Sequence, residues 1–322
     1  MSSCFLPDRP LPLAAVFSVE GEVLTLAEKS LFSAAQPFGF ILFGRNCKTP
    51  EQLQKLTAQL RSAVGWHCPI MIDQEGGRVA RLQAPHWPVF NTARFYGEHQ
   101  DVIAHDMRAL AHMLFEMGID ANCAPVCDVL FPETHKVIGD RAYSDQPDDV
   151  AVAALKVALA FLDEGVQPII KHLPGHGRAV CDSHLDLPVV STSRRELACT
   201  DFVPFRTMAQ SDLGTKLWGM VAHIIYTDID PARPATLSSI VINNIIRGEI
   251  GFDGLLMTDD LDMKALENYG SIADRAEESL QAGCDLALYC WAKIDVMEQL
   301  AARLPPLSRK GWERWEKSLC KV

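Results

Sequence analysis

Eight times along this chain a short apolar run gives way to a longer stretch of helical periodicity, and few folds accommodate that rhythm. The runs are Leu13–Ser18, Gly39–Phe43, Pro69–Asp73, Asp120–Pro125, Pro168–His172, Leu217–His223, Gly254–Thr258 and Asp285–Tyr289. Near-continuous apolar character, as in Gly254-Leu255-Leu256-Met257, suits strands of a parallel sheet covered on both faces. The intervening segments carry helix punctuation. Thr49-Pro50-Glu51-Gln52 has the spacing of a capping box with proline at the first helical position, and Ser193 to Glu196 repeats the box. Gly118, Gly165 and Gly283 close helical patterns where a left-handed residue is needed. The rhythm predicts a (β/α)8 TIM-type barrel, read as a single α/β domain over residues 1–322. A doubly wound open sheet is the alternative. It lacks its usual dinucleotide loop, because Val19-Glu20-Gly21-Glu22 follows the first strand. The tail beyond about Pro305, with Trp312 and Trp315 on one face, predicts a helix over about 306–322 packed on the barrel.

The net charge of −11 argues against nucleic acid as a partner, since phosphate neutralisation needs a basic surface. No apolar run approaches the length of a membrane span. Met1 to Val19 reads as a first strand rather than a leader, because Asp8, Pro10 and Pro12 interrupt it and no small-residue cleavage site precedes Gly21. The ten cysteines include no C-x-x-C pair, and Cys123 and Cys127 fall in or beside a strand. Reduced thiols packed as small hydrophobes in a cytoplasmic protein are expected, with no zinc site.

On a barrel, chemistry is mounted at the C-terminal ends of the strands. Here the third strand ends at Asp73, followed by Gln74-Glu75-Gly76-Gly77-Arg78 and Arg81; the fifth ends at Lys171-His172, the sixth at His223, and the seventh reaches Asp259-Asp260. Lys171 to His184 packs three histidines into fourteen residues, interleaved with glycine and proline. Each residue has a bland reading. Asp73 caps a turn, Lys171 snorkels, His176 serves loop geometry, His223 is a bonded core histidine, and Asp182-Ser183-His184 is a turn. Arg78, Arg81 and Arg141 make surface ion pairs. One of Asp259 and Asp260 points away, because successive strand residues face opposite sides. The convergence of the set on one rim nevertheless favours a site. A strand-end carboxylate can be a nucleophile, and a loop histidine oriented by a carboxylate can be an acid or base near neutral pH. That combination suits transfer at a sugar anomeric carbon.

The segment KHLPGHGRAVCDSHLDLP resembles the K-H-F-P-G-H-G and D-S-H signature of family 3 glycoside hydrolases of the bacterial β-N-acetylhexosaminidase type. IDQEGGRVARL, FGRNCKTP, MVAHIIYTDID with PATLSS, and GFDGLLMTDDLDMKAL are similar to its other motifs in order, from about residue 38 to 270. The resemblance implies a retaining mechanism through a covalent glycosyl-enzyme, with Asp259 as nucleophile and His184, oriented by Asp182, as general acid/base. It implies sugar binding by Asp73, Arg81, Arg141, Lys171 and His172, and no metal or organic cofactor. The implied substrate is a terminal N-acetylglucosamine on cell-wall muropeptides, and the implied roles are peptidoglycan recycling, cell shape and cell division. Thr258 stands where the family has serine, Leu173 where it has phenylalanine, and Gly139-Asp140-Arg141-Ala142-Tyr143 departs after its arginine.

Three rivals remain at this level. The same fold can act on another sugar or use phosphate as acceptor, because a histidine repels an anionic acceptor less than a carboxylate does. A metal-dependent barrel hydrolase would use the His and Asp residues, but its H-x-H after the first strand is absent from Phe17-Ser18-Val19. A non-catalytic sugar-binding protein would not need the Asp259 and Asp182/His184 set. The chain is expected to act as a monomer or weak dimer. The glycine and proline positions within 174–184 predict a mobile loop that leaves His184 away from Asp259 when no substrate is bound.

Overall fold

A computed structural model describes residues 10–183 and 186–319. His184 therefore lies outside the described residues. All eight apolar runs form strands, joined in parallel into a closed barrel. In chain order these are β1 (Leu13–Phe17), β2 (Pro37–Leu42), β3 (Ile70–Ile72), β4 (Ala121–Asn122), β5 (Gln167–Leu173), β6 (Trp218–Val221), β7 (Leu256–Asp260) and β8 (Leu286–Leu288). β8 returns to β1 through Ala15 opposite Ala287 and Val16 opposite Leu288. The side chains along these strands are buried, except for Asp259 and Asp260 at the open end of β7. The apolar runs were readable as strands because both faces are covered, one by the packed barrel interior and one by helices.

Two ladders lose register near the site. Ile170 of β5 faces Gly219, yet Leu173 faces Val221, so three steps on β5 oppose two on β6. Met257 of β7 faces Leu286, yet Asp260 faces Leu288. Such bulges re-aim side chains. This corrects the expectation for β7: Asp259 and Asp260 both line the same cavity. Lys171 and His172 likewise both line it, across a peptide bond that is cis.

The helix Pro50–Val64 begins as its sequence implies, with Thr49 Oγ1 accepting from Gln52 N at 3.3 Å. The predicted capping box is only half made. Gln52 Oε1 takes the N–H of Lys48 instead, and its Nε2 donates to Glu22 O. Ser193 also caps alone, because the Glu196 carboxylate turns to Arg178 at 2.9 Å. Complete boxes stand at Thr25/Glu28 and Ser271/Asp274.

The tail helix is present as Arg309–Ser318, starting a little later than expected behind a Ser308 cap. It closes the N-terminal mouth of the barrel. Trp315 packs edge-on against Phe38 and Trp66, with ring centroids 5.6 and 5.7 Å away, and Trp218 Nε1 donates to Ser318 Oγ at 2.9 Å. That plugs the N-terminal mouth, while the C-terminal mouth opens into a cavity lined by the strand ends.

Candidate active site

The strand ends surround a cavity of about 300 Å³, with Ile41, Met220 and Leu288 among its apolar lining residues. Asp73 follows β3 directly and begins a reversal fixed by Gln74. The buried Gln74 side chain accepts from Arg81 N and Leu82 N at 2.7 and 3.0 Å, while its own backbone pairs with the Asn122 side chain. Gly76, at φ 101°, passes where a Cβ would sit 2.1 Å from Asn91 O, so no other residue fits the turn. The reversal brings Arg81 back over Asp73.

Five charges then alternate along one wall. Arg81 Nη2 lies 3.2 Å from Asp73 Oδ2, and Lys171 Nζ lies 2.8 Å from Asp73 Oδ1 and 2.6 Å from Glu75 Oε1. Arg141 grips Glu75 with two parallel bonds of 2.8 Å. Burial alone would raise the Asp73 and Glu75 pKa values. The neighbouring cations outweigh it, holding Asp73 well below the carboxylate range and Glu75 at about 2. Lys171 and Arg141 are pushed up by the same carboxylates against a burial effect of opposite sign. The Lys171 ammonium thus sits between the two carboxylates in the cavity wall. Arg141, whose flanking residues depart from the family pattern, nonetheless stands in this row. Arg78 supports its loop by donating to Asp140 and to the carbonyls of Lys136 and Val137.

His172 is fixed from behind by Asp128, which is fully buried. Asp128 Oδ2 accepts from His172 Nδ1 at 2.6 Å, and Oδ1 accepts from the backbone N–H groups of His172 and His176. Burial opposes the charge on Asp128, but the His172 contact dominates and holds it ionised at about 2. The proton on His172 Nδ1 leaves Nε2 as the nitrogen available to a ligand. His176 is buried, and burial followed by the neighbouring His172 lowers its pKa to about 4, so it is neutral at pH 7. Its Nε2 lies 3.3 Å from Ser183 Oγ.

The loop after β5 is more tightly packed than its composition implies. Leu173 through Gly177 are all buried. A Cβ on Gly177 would meet Val129 O at 1.8 Å, and Tyr226 Oη donates to Gly175 O at 2.6 Å. These glycines permit close packing. Arg178 continues the anchorage, 2.8 Å from Asp201 and stacked over Phe131. Ser183 lines the cavity, and its carbonyl accepts from Ala265 N at 3.2 Å, so the loop reaches the barrel beside β7. Asp182 lies just before it, and His184 falls outside the described residues.

At the end of β7, Asp259 lines the cavity and one of its oxygens accepts from Asp260 N at 2.8 Å. Burial and then the Asp259 charge push Asp260 up to about 6. Asp260 accepts from Cys290 N and Trp291 Nε1. His223 is a buried, bonded histidine whose Nε2 donates to Asp260 O, so it braces the strand end. Glu75, Asp128 and Asp260 were missed as partners by sequence reasoning. Their only sequence signal was acidity near a strand end. Among the described residues no three His, Cys, Asp or Glu side chains are grouped to hold a metal ion, and no helix is long and apolar enough to cross a membrane.

The sequence model of the glycosyl hydrolase family 3 N-terminal domain matches residues 22–309. A protein of Alkalilimnicola ehrlichii named beta-hexosaminidase is 38% identical over 284 residues, 85% of this chain and 80% of that protein. Another beta-hexosaminidase, from Idiomarina loihiensis, is 33% identical and covers 94% of this chain and 92% of its own. Among solved structures, NagZ from Neisseria gonorrhoeae in complex with N-trifluoroacetyl-D-glucosamine superposes with a TM-score of 0.88 at 31% identity, covering 98% of this chain and 92% of that one.

Proposed function

This chain belongs to glycosyl hydrolase family 3, and on that premise we propose that it is a retaining exo-β-N-acetylglucosaminidase that releases terminal N-acetylglucosamine from cell-wall muropeptides. The observation that carries the reading is the position of Asp259: a carboxylate at a strand end, facing the same cavity as a row of fixed hydroxyl-binding charges. The names of the relatives and the N-acetylglucosamine derivative bound by the gonococcal protein support the choice of sugar.

In the proposed reaction Asp73, Arg81, Arg141, Lys171 and His172 hold the hydroxyls of the terminal sugar. An Asp259 oxygen attacks the anomeric carbon as the glycosidic C–O bond breaks. The bonding electrons leave with the aglycone oxygen, which takes a proton from His184. Asp182 orients His184. The deprotonated imidazole then removes a proton from water, the water oxygen attacks the same carbon, and the Asp259 carboxylate leaves. Two displacements return the original configuration. A neutral histidine as base adds no second negative charge beside Asp259. The whole chain acts as one domain, as a monomer or weak dimer in the cytoplasm, without metal or organic cofactor.

Trapping with a 5-fluoro N-acetylglucosaminyl donor followed by peptide mass spectrometry tests the reading. The label is expected on the peptide carrying Asp259. A label on another carboxylate, or rapid turnover with none trapped at any carboxylate, overturns the nucleophile assignment.

A further inference from the structure

Trp291 is 59% exposed in a protein whose other tryptophans at the barrel base are packed away, yet it lines the catalytic cavity. It follows β8, beside the end of β7 that carries Asp259. Its ring is held in place. Trp291 Nε1 donates to Asp260 Oδ2 at 2.8 Å, and Asp260 Oδ1 accepts from Cys290 N at 3.2 Å. On the other side Arg45 Nη2 donates to Cys290 O at 2.6 Å, and Arg45 is itself tied to Ser18 Oγ and Val19 O. The next residue, Ala292, adopts φ 57°, a left-handed conformation that non-glycine residues rarely occupy. The carboxylate adjacent to Asp259 thus holds the indole through Oδ2 and the backbone just before it through Oδ1, which also accepts from Asp262 N at 3.3 Å.

An indole tied by its N–H edge, with much of its surface in solvent, offers a flat apolar platform. The hydroxyl-binding row lies on the side of β3 to β5, across the barrel from β8. A sugar gripped there with its anomeric carbon at Asp259 directs its leaving group toward the rim. Pyranose rings present one face of C–H groups, which suits an aromatic surface. We propose that Trp291 is the stacking platform for the first sugar of the leaving group, with Asp260 as the positioning residue that sets the ring plane. The proposal rests on the glycosidase reading above and assigns the specificity for the aglycone within that site.

The test compares two substrates with the same N-acetylglucosaminyl donor. Chitobiose has a sugar leaving group, and N-acetylglucosaminyl fluoride has a single atom. Trp291→Ala is expected to lose at least tenfold more kcat/KM on chitobiose than on the fluoride, with the excess in KM. Trp291→Phe, which keeps a ring but loses the N–H bond to Asp260, is expected to fall between the wild type and Trp291→Ala on chitobiose. Equal losses on the two substrates, or no loss on either, overturn the platform, as does a Phe variant as impaired as the Ala variant. Melting temperatures of both variants separate misfolding from loss of stacking. Failure of the wild-type protein to turn over either substrate would strike the glycosidase reading itself, before any variant is considered.

Discussion

At the base of the barrel Arg314 donates to Asp253 and Asp285, and Arg247 reaches Asp285 from the other side. At the rim Lys171 stands between Asp73 and Glu75, flanked by Arg81 and Arg141. Both ends bury ion pairs, but to opposite ends. The base pairs lie under a tail helix whose Trp315 fills the mouth with Phe38, Trp66 and Trp312. The rim pairs face a cavity of about 300 Å³ at the strand ends, while Arg247, Asp253, Asp285 and Arg314 line one of about 550 Å³ at the base. Charge burial by itself therefore does not mark a site. What marks the rim is that its alternating row of charges shares a cavity with the strand-end carboxylate Asp259.

The largest expected effect separates the two ends outright. Asp259→Ala at the rim should lower kcat on an aryl N-acetylglucosaminide by about 10³-fold or more while leaving the melting temperature close to wild type. Steady-state kinetics and calorimetry on one preparation check it. Trp315→Ala at the base should do the reverse. It removes a packed aromatic and should cost about 3–5 kcal/mol of stability, read by urea denaturation, with kcat/KM per folded molecule unchanged.

Lys171→Met sharpens the comparison, because it removes the central cation of the rim row and leaves two buried carboxylates facing each other. It should destabilise by about 3 kcal/mol at pH 7.5 and abolish most turnover. The pH dependence follows from Glu75, whose folded pKa of about 2 lies below its ordinary value. In the wild type that stabilisation is complete above the ordinary carboxylate range and is lost as pH falls towards 2. In the variant Asp73 keeps Arg81 and Glu75 keeps Arg141, but the loss of the shared cation between them makes protonation less unfavourable. The gap in melting temperature between the two proteins should therefore shrink from pH 7.5 to pH 5, and a gap that is constant or widens would break the ion-row account.

Asp128→Asn gives the smallest effect. The amide cannot serve all three N–H groups that the carboxylate accepts, and the loss should be about 1–2 kcal/mol, or roughly tenfold in kcat/KM. Asp128 titrates at about 2 when folded, below its ordinary value, so wild-type stability from this group falls away only as pH drops through that window. The Asn variant should lack that share of the acid limb in a melting-temperature profile from pH 2 to 5.

Much of this was legible in the chain because the controlling interactions are local or periodic. All eight strands were readable, since a strand covered on both faces must be apolar throughout, and strand ends such as Asp73, Lys171 and Asp259 stood out where the apolar run broke. The tail helix was readable from Trp312 and Trp315 on one face. In the loop 174–184 glycine signalled permission, and only the neighbour at Val129 O shows that at Gly177 it is used for close packing. The capping boxes at Thr49 and Ser193 were half legible: both side chains cap their helices, but Gln52 and Glu196 found better partners outside them.

The sequence by itself determined the barrel, its handful of rim carboxylates and cations, and through its motifs the family. The tertiary structure alone decided how those residues pair. Lys171 meets Asp73 across 98 positions and Asp128 meets His172 across 44, separations at which no periodicity carries information. It also decided which way paired residues face. A register shift turns Asp259 and Asp260, and Lys171 and His172, to one cavity, although a regular strand would send each pair to opposite sides. Alternation is a property of the ideal strand. Where a ladder slips by one residue, only the neighbouring strand can reveal it.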